Sequence, residues 1–219
     1  MKLLFWSTIF MAVCFVRAPA QLRVPKTDTQ SWNDVLFTVP MTKKVEFGLL
    51  GTLRFGDNVT TPVDERAGFG FNYKLHPYIT LQEFVIARDA RAPHARKEHE
   101  FRLTFGAALQ KPFGKFTLSD RNWFERRWRE PQRDAWRYRN RVRVEHPFQI
   151  DKHKFNWFVS DEVFYDWSLN DWVRNRAAVG ANHVFNKHVT LELYYMRQND
   201  GRSRPGDLHI IGTLWRFKL

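Results

Sequence analysis

Residues 134–145 read DAWRYRNRVRVE and sort by parity almost without exception. Trp136, Tyr138, Val142 and Val144 share one side of an extended chain, while Arg137, Arg139, Arg141, Arg143 and Glu145 share the other. Successive side chains of a strand point to opposite faces, so this segment has an apolar wall and an ionic wall. Four alternate arginines are a heavy load for a face whose only partner is solvent. A membrane-spanning barrel calls for this pattern, with lipid outside and a polar lumen inside.

The same alternation extends outward from this strand. Val45, Phe47, Leu49, Leu53 and Phe55 alternate with Lys44, Glu46, Gly48, Thr52 and Arg54. Ala67, Phe69, Phe71, Tyr73 and Leu75 do so further on, as do Phe101, Leu103, Phe105, Ala107 and Leu109. Phe84 and Ile86 oppose Glu83, and residues 116–127 are ambiguous because Trp123 shares a face with Arg121, Glu125 and Arg127. Later runs end with Ile211, Trp215, Phe217 and Leu219 on one parity. The runs are about ten to thirteen residues long, against roughly five or six for soluble strands and about nine to eleven for a tilted membrane strand.

Short links at 75–78, 110–115, 147–154 and 185–188 alternate with longer polar ones at 56–64, 89–97, 128–133 and 199–206, and 166–171 is intermediate. Short periplasmic turns and long outer loops give that rhythm. Counting from Lys44 yields ten strands, with both barrel ends on the periplasmic side. Gln30 to Val39 reads as an eleventh strand. Single-chain bacterial barrels have even strand numbers, so ten is the first expectation and twelve the second, with 21–43 an extra strand or a plug.

The first twenty residues are read separately. Lys2, an apolar run from Leu3 to Val16 and Ala18-Pro19-Ala20 have the layout of a secretory signal peptide. Its removal would take the single cysteine, Cys14, and lower the formal charge from +12 to +10 by loss of Lys2 and Arg17. Export without disulfides fits a bacterial envelope protein. No later segment has eighteen consecutive apolar residues, so a helical span is excluded. For an exported basic chain, lipopolysaccharide phosphates, lipid headgroups and small anionic solutes are nearer partners than nucleic acid.

Several phrases then form a set: LSDRNWFERRW from Leu118, YRNRVRVE from Tyr138, VSDEVFYDW from Val159, WVRNRAAVGANH from Trp172, LELYYMRQNDG from Leu191 and the closing LHIIGTLWRF. Together they resemble an uncharacterised bacterial family, domain of unknown function 2490, over most of the chain from about Trp32. The resemblance implies an outer-membrane β-barrel and transfers no functional residues. The terminal residue, Leu219, departs from the aromatic residue common at barrel ends, with Trp215 and Phe217 on its face instead.

The fold class expected is therefore all-β, an antiparallel transmembrane barrel over 44–219. A lumen this narrow holds side chains only. Its candidate lining is Arg102, Arg121, Glu125, Arg127, Arg137, Arg139, Arg141, Glu162, Arg174, Arg176 and Glu192. Forked to carboxylates, these arginines would plug the barrel; in excess, they would line a narrow path for small anions. Trp136, Trp157, Trp172 and Trp215, with Tyr78, Tyr138, Tyr165 and Tyr195, suit interfacial girdles. The long links carry Arg88, Arg91, His94, Arg96, Lys97, Arg126, Arg127, Arg129, Arg133, Arg202 and Arg204, charges suited to solvent or lipopolysaccharide phosphate.

No catalytic, cofactor or metal site is expected. The eight histidines show no metal spacing. Asp207 and His209 share a parity near the last long link, the one pair that could serve as orienter and base at a barrel rim. An enzyme of that kind, or an inverted soluble barrel with an apolar cavity, is the alternative to a structural or narrow-channel protein.

Overall fold

The computed structural model describes residues 25–91 and 97–219. The expected signal peptide, Cys14, His94 and Arg96 lie outside the described residues. The strands are β1 (Thr27–Pro40), β2 (Val45–Gly56), β3 (Thr61–His76), β4 (Ile79–Ala90), β5 (Glu98–Phe113), β6 (Phe116–Glu130), β7 (Ala135–Ile150), β8 (His153–Asp166), β9 (Asp171–Val184), β10 (Val189–Asp200) and β11 (Asp207–Lys218). Each pairs with its sequence neighbour, and β1 joins β11 to close a barrel.

Eleven strands correct the expected ten or twelve. The correction comes from β1, whose two edges both find partners. Thr27 to Thr38 run in register with Asp207 to Lys218, and Ser31 to Pro40 with Phe55 to Glu46. An odd number of alternating strands leaves the first and last pointing the same way, so the closing pair is parallel while the others are antiparallel. The start of β1 and the end of β11 consequently lie at opposite mouths, not both at one. The Lys26 carbonyl accepts from Gly206 and Asp207 at one end, and the Leu219 amide donates to Thr38 at the other.

Parallel pairing is slightly weaker per residue, and side chains reinforce this seam on both faces. Inside, Trp32, Leu208 and Ile210 form an apolar cluster with Tyr194 and Met196 packed against it. Outside, Thr213 Oγ1 donates to Asn33 Oδ1 at 3.1 Å, and Asn33 Nδ2 donates to Ser31 Oγ at 3.2 Å. Deleting residues 27–40 is expected to abolish the compact, heat-modifiable form seen on electrophoresis, because β2 and β11 would both be left as open edges. A ten-strand barrel would close without β1 and migrate unchanged.

The links contract as the strands lengthen. One mouth has turns at 41–44, 77–78, 114–115, 151–152 and 185–188, and the other has links at 57–60, 91–97, 131–134, 167–170 and 201–206. Arg88 therefore belongs to β4, and Arg126, Arg127 and Arg129 to β6, where polarity alone had suggested loops.

Strand parity fixes the two walls. On β7 the arginines face inward, with Arg137 6% and Arg143 7% exposed, while Trp136 and Val142 stand outside at 42% each. That is the reverse of an inverted soluble barrel. Trp123 points inward and donates from Nε1 to Gln82 Oε1 at 2.9 Å. On β4, Phe84 and Ile86 occupy the lumen. They fit because β3 offers Gly68 and Gly70 beneath them; a Cβ on Gly70 would lie 2.7 Å from the Phe84 ring.

Outside, two arcs of aromatic side chains line the barrel, one from β5 to β9 and one from β6 to β11. Phe105, Phe124, Tyr138, Trp136, Tyr165, Trp167 and Trp172 interlock toward the long-link mouth. Phe116, His146, Trp157, Phe155, His183, Phe185, Trp215 and Phe217 do so toward the other. The two arcs suit aromatic rings at membrane interfaces. Between them Asp120 accepts from Asn140 at 2.6 Å and Asn122 at 3.0 Å, and Asp161 accepts from Asn175 at 2.8 Å. These amides supply the donors that lipid cannot. No such contact among the described residues explains Glu83, which stands outward in register with Phe71 and Phe105.

Candidate functional site: an ionic lumen and its vestibule

Glu125 is the hub of the lumen. It sits on β6 at 0% exposure. Its Oε2 accepts from Arg137 Nε at 2.6 Å, and its Oε1 accepts from Arg139 Nη1 at 2.8 Å and Arg102 Nη1 at 3.4 Å. Arginine forks match carboxylate geometry and hold it in register.

Glu100 on β5 extends the lattice toward the long-link mouth. Arg127 forks to it with both bonds at 2.8 Å, Arg102 Nε donates at 2.8 Å and Arg88 Nη1 at 3.2 Å. Arg88 then reaches Asp64, which Arg66 also holds by a fork at 2.6 and 2.9 Å. In the other direction Arg139 bridges from Glu125 to Glu162, which also accepts from Arg121 at 2.7 Å. Arg176 stands 3.8 Å from Glu162 and donates from Nε to Gln198 at 2.9 Å. Arg143 forks to Glu192 at 3.1 and 3.0 Å, and Arg216 joins at 3.0 Å. Arg174 is ion-paired with Asp200.

Aromatic rings inserted from the same wall complete the filling. Phe164, 1% exposed, lies under Arg139 and Arg176 at 4.8 Å each, and Phe158 lies under Arg143 at 3.6 Å. These cation–π contacts offset part of the desolvation of guanidinium groups removed from water.

All eleven residues expected to line the lumen face it. Ten of them join the network, and Arg141 makes no ion pair among the described residues. Asp64, Arg66, Arg88, Glu100 and Asp200 were not among the expected lining. Asp64 and Arg88 bordered links that the strands absorb, but the parity of Glu100 with Arg102 was a usable signal. Asp207 and His209 do not form a pair. Asp207 meets Lys26 at 3.3 Å, while His209 Nδ1 lies 2.7 Å from Tyr195 Oη and its Nε2 accepts from Arg197 at 2.8 Å.

Beneath links 131–134, 167–170 and 201–206 the lumen widens into a vestibule of about 710 Å³ walled by part of this lattice. Among the described residues, twelve arginines and four carboxylates line it. In its wall Arg54 lies 3.4 Å over Trp32, and Arg176 approaches the same ring at 4.7 Å.

The model of the family described as "Protein of unknown function (DUF2490)" matches residues 29–208. No curated protein matches the chain. Among solved structures, LpxR from Salmonella typhimurium aligns with TM-score 0.51 at 8% identity, covering 80% of this chain and 83% of LpxR. The anion-selective porin from Comamonas acidovorans aligns with TM-score 0.41 at 12% identity over 80% of this chain, which spans only 54% of the porin. The siderophore receptor PirA from Pseudomonas aeruginosa gives TM-score 0.31 at 10% identity, over 75% of this chain and 34% of the receptor. The likeness to LpxR is one of fold, an outer-membrane β-barrel.

Proposed function

The chain belongs to the DUF2490 family, and from that premise we propose that it is a non-enzymatic outer-membrane protein whose lumen is closed at mid-height by an arginine–carboxylate plug. The vestibule above the plug opens to the outer mouth and takes small anionic solutes. Outer-membrane lipid surrounds the aromatic arcs, and lipopolysaccharide phosphate meets the arginines of the rim.

One observation carries this reading: the residues that cross the lumen are cut off from water. Glu125 is 0% exposed and Thr104 1%. A solvated ion path would leave such side chains wet, whereas here each carboxylate is surrounded by guanidinium donors. Breaking a buried ion pair costs several kcal/mol, so the lattice resists opening. The plug favours a structural or solute-holding role over a free anion pore.

Conductance in planar bilayers tests this directly. Folded wild-type protein is expected to give no steady ohmic current in 1 M salt, an ionic strength of order that shortens screening to about 3 Å without dissolving buried pairs. A stable anion-selective current from every inserted molecule would refute the plug.

A further inference from the structure

The vestibule holds more positive charge than its own carboxylates can satisfy. Among the described residues, twelve arginines line it. Every carboxylate that lines it or pairs with those arginines comes to eight: Asp64, Glu98, Asp166 and Asp200 on the wall, with Glu100, Glu125, Glu162 and Asp171 behind it. Counting Asp34, whose charge also acts on Arg54 and Arg66, three guanidinium charges are left over within a cavity open at its mouth.

Arg129 and Arg204, beside the links, make no ion pair among the described residues, and the least satisfied buried arginine of the wall is Arg54. Arg54 is 7% exposed, yet it donates no hydrogen bond to a carboxylate. Its nearest acid, Asp64, is 3.9 Å away and already occupied by the forks of Arg66 and Arg88. Its Nε has no partner among the described residues. A buried, unsatisfied donor on a charged group is costly unless something accepts from it. Arg176 converges on the same Trp32 ring and holds Glu162 only at 3.8 Å. Trp32 thus has two under-used guanidiniums against its ring in the cavity wall.

We propose that Arg54 and Arg176 anchor a binding site for a phosphate group carried by a small polar body, such as a phosphorylated sugar. A phosphate suits the surplus better than a lone carboxylate, because it brings up to two charges and three acceptor oxygens to forks set at different angles. The cavity of about 710 Å³ exceeds what inorganic phosphate fills, and its arginine-rich wall suits a hydroxylated body over an apolar one. This assignment rests on the vestibule of the proposed function and names the ligand class for it. The phosphosugar is either a free solute or a glycolipid headgroup reaching over the rim.

Calorimetry on the folded protein in zwitterionic detergent separates these cases, with glucose 1-phosphate, glucose and purified lipopolysaccharide as probes. Glucose 1-phosphate should bind saturably at one site and glucose should not. Arg54→Gln and Arg176→Gln should each weaken binding about tenfold or more, the loss of one charge-assisted bond. Neither change orphans a carboxylate, since Asp64 keeps Arg66 and Arg88 and Glu162 keeps Arg121 and Arg139. Arg54→Lys, which keeps the charge and loses the fork, should fall between. Arg141→Gln removes the same charge outside the vestibule and should bind as wild type.

Saturable binding of lipopolysaccharide that displaces glucose 1-phosphate, with the same variant order, would keep the site and assign it to the headgroup. The site is overturned if neither phosphate probe binds, or if Arg141→Gln weakens binding as much as Arg54→Gln. Absent binding with no ion current would sink the site and spare the plug; intact binding with a steady current would do the reverse.

Discussion

Glu125→Ala is expected to destabilise the barrel by about 3–5 kcal/mol, the cost typical of stripping one partner from a buried ion pair. Arg102, Arg137 and Arg139 all meet on that one carboxylate, and no water reaches it to replace the lost acceptor. Glu125→Gln keeps one carbonyl oxygen and should lose about 1.5–3 kcal/mol, the worth of hydrogen bonds to charged groups. Arg141→Gln touches the same lumen without breaking an ion pair and should change stability by less than about 1 kcal/mol. Urea titration of protein folded in micelles, followed by tryptophan fluorescence, measures all three. Equal losses for Glu125→Ala and Arg141→Gln would show that the lattice contributes no specific hub.

The second large effect lies on the other wall. Leu49 stands outward at 47% exposure, in register with Phe37 on β1 and Phe69 on β3. Leu49→Arg should cost about 2–4 kcal/mol, the price of a lipid-facing cation near the bilayer midplane. Val45, outward on the same strand but beside the 41–44 turn, should accept Val45→Arg for about 0–1 kcal/mol. The same titration in lipid vesicles gives the comparison. A Leu49→Arg protein as stable as wild type would mean that this face meets water.

Much of the fold was legible because a barrel writes its two walls into alternate letters. β7 carries four arginines at one parity, and its wall assignment follows from that alone. The count failed at β1. Its segment alternates weakly, mixing Ser31 and Asn33 into the outer face, and the even-number rule argued against it. The seam exists because Trp32, Leu208 and Ile210 meet inside the barrel, a contact between residues from opposite ends of the chain.

The site divides in the same manner. Inward direction could be read for Arg137, Arg139 and Glu162, but partner choice could not. Arg121 finds Glu162 forty-one residues away, across a lumen that no local pattern describes. Arg88 looked like loop charge because polar runs suggest links, yet β4 continues through it and ties it to Asp64 and Glu100. On β4 the apolar residues Phe84 and Ile86 turned inward, and only the glycines of the neighbouring strand account for the space they fill.

Arg137 and Arg139 of β7 line an aqueous vestibule, and Val142 and Val144 on the opposite wall of the same strand meet lipid. Single cysteines introduced by Arg137→Cys, Arg139→Cys, Val142→Cys and Val144→Cys, each in a Cys14→Ser background and folded into liposomes, test this central claim by reactivity and quenching together. The first two positions should react with a small charged thiosulfonate added outside, and fluorophores on the last two should be quenched by spin-labelled lipid. Aqueous reactivity at 142 and 144 with lipid quenching at 137 and 139 would contradict the claim.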